Sequence, residues 1–170
     1  MAQTDRNSTA IADMVAIPRV PVDVTKGSAG TLKESGGYVA NAADDSANSI
    51  FRFARVPSNA RISQVLLAAA NASSAGAVNV GVYQTAENGG AVVDADLFGS
   101  AVALTSSALT ERVDITFESD EFTYAESFKP LWEVLGLTAD PCRDYDIAAT
   151  ISTTFNGAGV GMGLWVRYVN

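Results

Sequence analysis

"SIFRFARVPSNARISQVLLAAAN", residues 49–71, is two alternating runs of apolar residues joined at Pro57-Ser58-Asn59. Proline fixes its own φ, and Ser and Asn side chains bond back to the chain, so the joint reads as a turn between strands. An apolar residue at every second position gives each strand one face for a core. On that alternation Arg52 points opposite Phe51 and Phe53, Arg55 falls on the side of the phenylalanines, and Arg61 opens the second run. The three arginines therefore share no stripe. Salt bridges to an acidic partner surface are one use for Arg52 and Arg55. Pairing with the chain's own excess of Asp and Glu is the simpler one.

Strand signals recur on both sides of this hairpin. "GYVANA" precedes it; "AVNVGVYQT", "ERVDITFES", "DYDIAATISTTF" and "VGMGLWVRYV" follow, each bounded by Gly, Pro, Asn, Asp or Ser. With the two runs of the hairpin these make seven strands, enough for a sandwich or a barrel. In the last of them Val160, Met162, Leu164, Val166 and Tyr168 share one face; Gly161, Gly163, Trp165, Arg167 and Val169 share the other. The glycines leave room for a neighbouring backbone or a bulge.

Between the strands, "KPLWEVLGLTADP" predicts one short helix. Pro130 suits its first position, Leu131, Val134 and Leu135 lie on one side, Gly136 suits a left-handed end, and Leu137 folds back on Trp132. Such a helix plugs one end of the fold. "TAENGGAVVDADLFGSAVALTSS" reads as a long connection, with a tight turn at Asn88-Gly89-Gly90 and a single helical turn near Asp94 to Phe98.

A chain of 170 residues suits one folded domain. Hydrophobic residues make up 48% and charged residues 18%. Much of the apolar share is alanine, with Gly, Ser and Thr abundant, which favours strands and tight turns and hence a mainly β protein. Residues 1–70 carry seven Lys/Arg against six Asp/Glu, whereas residues 71–170 carry four against thirteen. So acidic a C-terminal part repels phosphate backbones, and nucleic acid is not the expected partner. No long apolar run or secretory leader is evident, so neither a membrane nor secretion is expected, and synthesis in a cytosol is.

Histidine is absent. That excludes a Cys-His zinc site, Ser-His-Asp or Cys-His nucleophiles and a histidine general base. The single Cys142 has no internal disulfide partner, and its acidic neighbours Asp140 and Asp144 make it a poor nucleophile. Asp94 and Asp96, or Glu118, Asp120 and Glu121, are the carboxylates that invite a Ca²⁺ site or a glycosidase pair. Neither group has the spacing of a calcium loop, and solvated surface charge is the simpler reading. "NGAGVGMG" lacks the Lys and helix of a phosphate cradle. Phe51, Phe53, Tyr83, Phe117, Trp132, Phe155 and Trp165 fall mostly on predicted strands or the helix and read as core rather than a stacking platform. No catalytic, cofactor or metal residue is assigned, and no enzyme activity is expected.

Residues 1–30 have another character. Pro18 and Pro21 bracket the extended segment "AIPRVPVDV" and stop any helix begun near Ser8. Fully extended, thirty residues reach about 100 Å. A solvated tail or an added edge strand fits this composition. The apolar series Ile17, Val20, Val22 and Val24 favours an arm that lies on a surface, either the protein's own sheet or another subunit. The domain reading is thus an N-terminal arm over 1–30 and a single β domain over 31–170.

The order of these pieces resembles the head decoration, or cement, proteins of tailed bacteriophages. The likeness lies in an N-terminal arm, then "FRFARVPSNARISQVLL", "VNVGVYQTAENGGAVVDADLFGSAVAL", "KPLWEVLGL" and an aromatic-rich last strand, and covers residues 36–170. It implies an antiparallel β-sandwich, jelly-roll-like, that forms a homodimer or homotrimer. It also implies binding to the lattice of the major capsid protein on the outer surface of the head, after synthesis in the bacterial host cytoplasm. The family carries over no contact motif, so Ile17, Val20, Val22, Arg52 and Arg55 are the partner-binding expectation from the residues themselves. The alternative is a phage spike, fibre or tail module that binds host-surface carbohydrate.

Overall fold

The computed structural model describes residues 31–42, 45–70, 75–104, 111–155 and 159–170. Leu32–Asn170 forms one compact unit; of the preceding unit only Thr31, an exposed residue, is described. The predicted arm lies outside the described residues.

Among the described residues eight strands build the larger unit: β1 (Leu32–Ala40), β2 (Ile50–Pro57), β3 (Arg61–Ala70), β4 (Ala77–Gln84), β5 (Val92–Ala103), β6 (Val113–Asp114), β7 (Asp144–Thr153) and β8 (Gly161–Val169). They form two antiparallel four-stranded sheets, ordered β1-β8-β3-β6 and β2-β7-β4-β5. The mainly β protein expected from composition and alternation is an antiparallel sandwich, the one of the two architectures, sandwich or barrel, that the resemblance implies. Its core lies between the sheets. Val65, Leu67 and Ala69 from β3 and Met162, Leu164 and Val166 from β8 meet Val78, Val80 and Val82 from β4 and Ile147, Ala149 and Ile151 from β7. Period-2 alternation thus places the predicted inner face of β8 in the core, with Tyr168 partly buried at its end.

A helix α1 (Leu131–Val134) covers one end. It is a single turn, preceded rather than begun by Pro130. Leu131 is buried in the core, and Val134 and Leu135 pack beside it. The Leu131 and Trp132 amides donate to Ala60 O (2.8 Å) and Ser58 O (2.9 Å), tying the helix to the β2–β3 turn. At its end Gly136 takes φ 71°, and the Gly136 and Leu137 amides donate to Glu133 O and Trp132 O, both at 3.0 Å. These two bonds cap the helix as its sequence predicts. Among the described residues no helix is long and apolar enough to cross a membrane.

Several expectations need correction. The connection predicted to hold a helical turn near Asp94–Phe98 is β5, a twelve-residue edge strand. Its pairing with β4 passes from Val82↔Asp94 to Val80↔Gly99, so four residues of β5 stand opposite the one residue Gly81. That bulge breaks the alternation from which a strand would be read. The predicted turn before it consists of a 3-10 turn at Ala86–Asn88 followed by Gly89 and Gly90. "ERVDITFES" pairs over only Val113 and Asp114, because the chain turns at Thr116. β1 begins at Leu32, five residues before the predicted run "GYVANA", and ends at Ala40, two residues before that run does.

Candidate interaction surfaces

Arg52 and Arg55 come together on the outside of the second sheet. The β2–β7 register shifts between Arg52 and Ala54, and Phe53 and Ala54 are both buried. This one extra residue turns Arg55 to the face of Arg52, which overturns the expectation that the two point to opposite sides. Both close on Asp146 of β7: Arg52 Nη1 donates to Oδ2 at 2.9 Å and Arg55 Nε to Oδ1 at 2.8 Å. Arg52 also donates to Gln84 O and Gly90 O, each at 2.8 Å, and its guanidinium lies 5.6 Å from the centroid of the Tyr83 ring. It therefore pins the β4–β5 hairpin to β2 and β7. Arg55 reaches Glu87 at 3.4 Å; its bonds to Asp146 and Glu87 hold its pKa above the ordinary value. Glu87 is shifted down, chiefly by its own backbone amide and Thr85, then by Arg55. In this chain the two arginines pair with its own acids. Of the other partner-binding residues, Ile17, Val20 and Val22 lie outside the described residues.

The outer face of the first sheet alternates aromatic and small residues across strands. Trp165 stands opposite Gly36 and Leu66; Tyr38 stands opposite Gly163. The space predicted beside the β8 glycines is taken by rings rather than by backbone: a Cβ on Gly161 would lie 2.3 Å from Tyr38 Oη, and one on Gly163 2.5 Å from Trp165 Cη2. Tyr38, Trp165, Ala68 and Ala70 line a shallow apolar groove of about 300 Å³. At its Trp165 end the Arg112 guanidinium lies 4.0 Å from the ring centroid, and Arg167 bridges Glu34 (2.9 Å) and Gln64 (2.8 Å).

The third surface surrounds the turn after β6 and joins carboxylates that the sequence placed in two separate groups. Phe117, expected in a strand and in the core, is 40% exposed because β6 ends before it. Its ring stacks on buried Phe122 (centroids 5.8 Å) and touches Tyr124 (4.5 Å), itself 74% exposed; Phe122 packs edge-on against core Phe98 (5.0 Å). Carboxylates crowd the same turn. Asp94, Asp96 and Glu121 bring oxygens within 4.8 Å of one another, and Glu118 accepts from the Ser100 amide at 2.7 Å. Three such oxygens are donors a cation can use, but acids at this spacing define no metal site by themselves. Repulsion from Asp94 and Asp96 pushes the Glu121 carboxyl up. The signal that could have found this surface was the interleaving "FESDEFTY", residues 117–124.

No family model and no curated protein matches the chain. Three solved structures are similar at low identity. The cyanophage Pam1 capsid asymmetric unit is 15% identical over 85% of this chain and 89% of that one, with a TM-score of 0.49. The capsid of Ralstonia phage GP4 is 14% identical over 84% and 85%, also at 0.49. The acidic stable capsid of Helicobacter pylori bacteriophage KHP30 is 14% identical over 82% and 94%, at 0.39. At these values the likeness carries no argument about function.

Proposed function

We propose that the chain is a structural virion protein: a non-catalytic adhesion subunit that binds the major capsid protein lattice on the outside of a tailed-phage head and reinforces it. The observation that carries this reading is the display of large aromatic side chains by β1 and by the turns between β6 and α1. Tyr38 is 69% exposed, Tyr124 74% and Phe128 57%. Such residues supply contact area at low entropic cost and dominate protein–protein interfaces. The resemblance in motif order to decoration proteins supports the same reading. The strand order β1-β8-β3-β6 and β2-β7-β4-β5 fits the jelly-roll-like sandwich that this resemblance implies. The three structures above come from phage capsids, which adds no argument at their scores.

The mechanism is bridging. A subunit, itself a dimer or trimer, that engages two or three lattice proteins at once converts weak patches into lasting attachment through effective concentration. Residues 1–30, with Ile17, Val20 and Val22, extend that reach. The test is co-sedimentation of purified protein with undecorated heads of its phage. Saturable, stoichiometric binding is expected, weakened when residues 1–30 are deleted while circular dichroism retains the β signature. Failure of the full chain to sediment with heads overturns the capsid reading; equally tight binding by the truncated chain overturns the role of the arm.

A further inference from the structure

We propose that the Phe117–Tyr124 ring pair, with the carboxylates beside it, is a docking surface for an arginine- or lysine-bearing segment of a partner protein. This deepens the adhesion reading, and rests on it for the partner's place in the virion.

The rings are anchored. The row Phe98–Phe122–Phe117–Tyr124 runs from core to solvent with neighbouring centroids 4.5 to 5.8 Å apart, so the outermost rings are held from beneath. A pair held this way loses little freedom on binding, as an interface anchor should. Aromatic rings attract cations, and Tyr124 is the more exposed of the two.

The charge around the rings specifies the occupant. Ser100 ties Glu118 to Asp96, through its amide to Glu118 and its hydroxyl to Asp96 Oδ2 (3.2 Å); Asp96 adjoins Asp94 and Glu121. Among the described residues no ion pair reaches any of these four carboxylates; those present join Arg52, Arg55, Arg112, Lys129 and Arg167 to other acids. Asp94 and Asp96 likewise push the Glu121 carboxyl up. Apolar rings set in unpaired negative charge repel anionic and acidic partners and fit a segment that brings guanidinium or ammonium groups.

The test titrates the full chain, ¹⁵N-labelled, with a capped hexapeptide of alternating Gly and Arg, using Gly-Ser and Gly-Glu hexapeptides as controls. Amide shifts centred on residues 94–100 and 117–124 are expected for the arginine peptide alone. Tyr124→Ala, which removes a side chain mostly outside the fold, should weaken binding by about threefold, and Phe117→Ala/Tyr124→Ala by about fivefold or more, with every charge retained. Tyr124→Phe should bind as the parent does. Shifts centred elsewhere, or ring variants that bind within about twofold of the parent, overturn the proposal. Its failure is separable from that of the capsid reading: a chain that sediments with heads but shows no ring-dependent arginine binding sinks only this inference. A chain that binds the peptide at the rings yet ignores heads sinks only the capsid assignment.

Discussion

Arg52 donates from Nη1 to Asp146 Oδ2 at 2.9 Å, onto a carboxylate whose side chain is only 7% exposed. The pair joins strands far apart in sequence, and Asp146 spends its second oxygen on Arg55. Removing a buried carboxylate leaves a half-buried guanidinium without its counter-charge, which costs more than an exposed pair returns.

Asp146→Ala should therefore lower unfolding free energy by about 2–4 kcal/mol. In urea unfolding, Arg52→Ala/Asp146→Ala should lose less than the sum of the two single changes, because each single variant already breaks the bond. Arg55→Ala, at a more exposed position, should have a much smaller effect.

β5 sets up two opposite changes. A Cβ on Gly81 would sit 2.1 Å from Asp94 O and 2.4 Å from Ala95 C, backbone atoms of the bulge that cannot swing aside. Gly81→Ala should cost about 3 kcal/mol or more and loosen β5 from β4. Ala101 on the same strand holds φ 52°, a left-handed conformation that costs a side chain about 1–2 kcal/mol. Ala101→Gly should recover roughly 0.5–1 kcal/mol of that. Thermal and denaturant midpoints moving in opposite directions check both.

Two acids should respond oppositely to pH. Burial opposes ionisation of Asp114, but hydrogen bonds from Thr116 and Gln64 outweigh it and hold the folded pKa below the ordinary 3.8. Its contribution is full above 3.8 and disappears as pH falls through the lowered value. Asp114→Asn should therefore destabilise at neutral pH and flatten the acid limb. Glu121 is raised above 4.5 by Asp94 and Asp96, so the folded state binds the proton more tightly and stability falls as pH rises through the raised value. Glu121→Gln should raise the neutral-pH melting midpoint by roughly 1–2 °C, less at high salt, and should lose that advantage well below pH 4.5.

What could be read from the sequence followed from alternation. β3 and β8 each turn one face to the core, so their apolar spacing announced strand and inner face together, though a sandwich or a barrel fitted equally, and Gly136 marked the helix end through local backbone chemistry. Bulges hid the rest. The extra residue at Phe53 turned Arg55 onto the face of Arg52; the four-residue excursion opposite Gly81 erased the period of β5; the turn at Thr116 moved Phe117 from core to surface. In each case one strand's path depends on its neighbour, and that information is not local to the segment.

Leu32 pairs with Val169 and Ala40 with Gly161, so the first strand of this body zips onto its last, and β8 runs between β1 and β3. A growing polypeptide accordingly has no bed for β1 until β8 has been made; until then one sheet lacks a middle strand and exposes sticky edges. A chain that stops before β8 is left with a sheet split in two rather than with a slightly shorter body, and its unpaired edges invite aggregation.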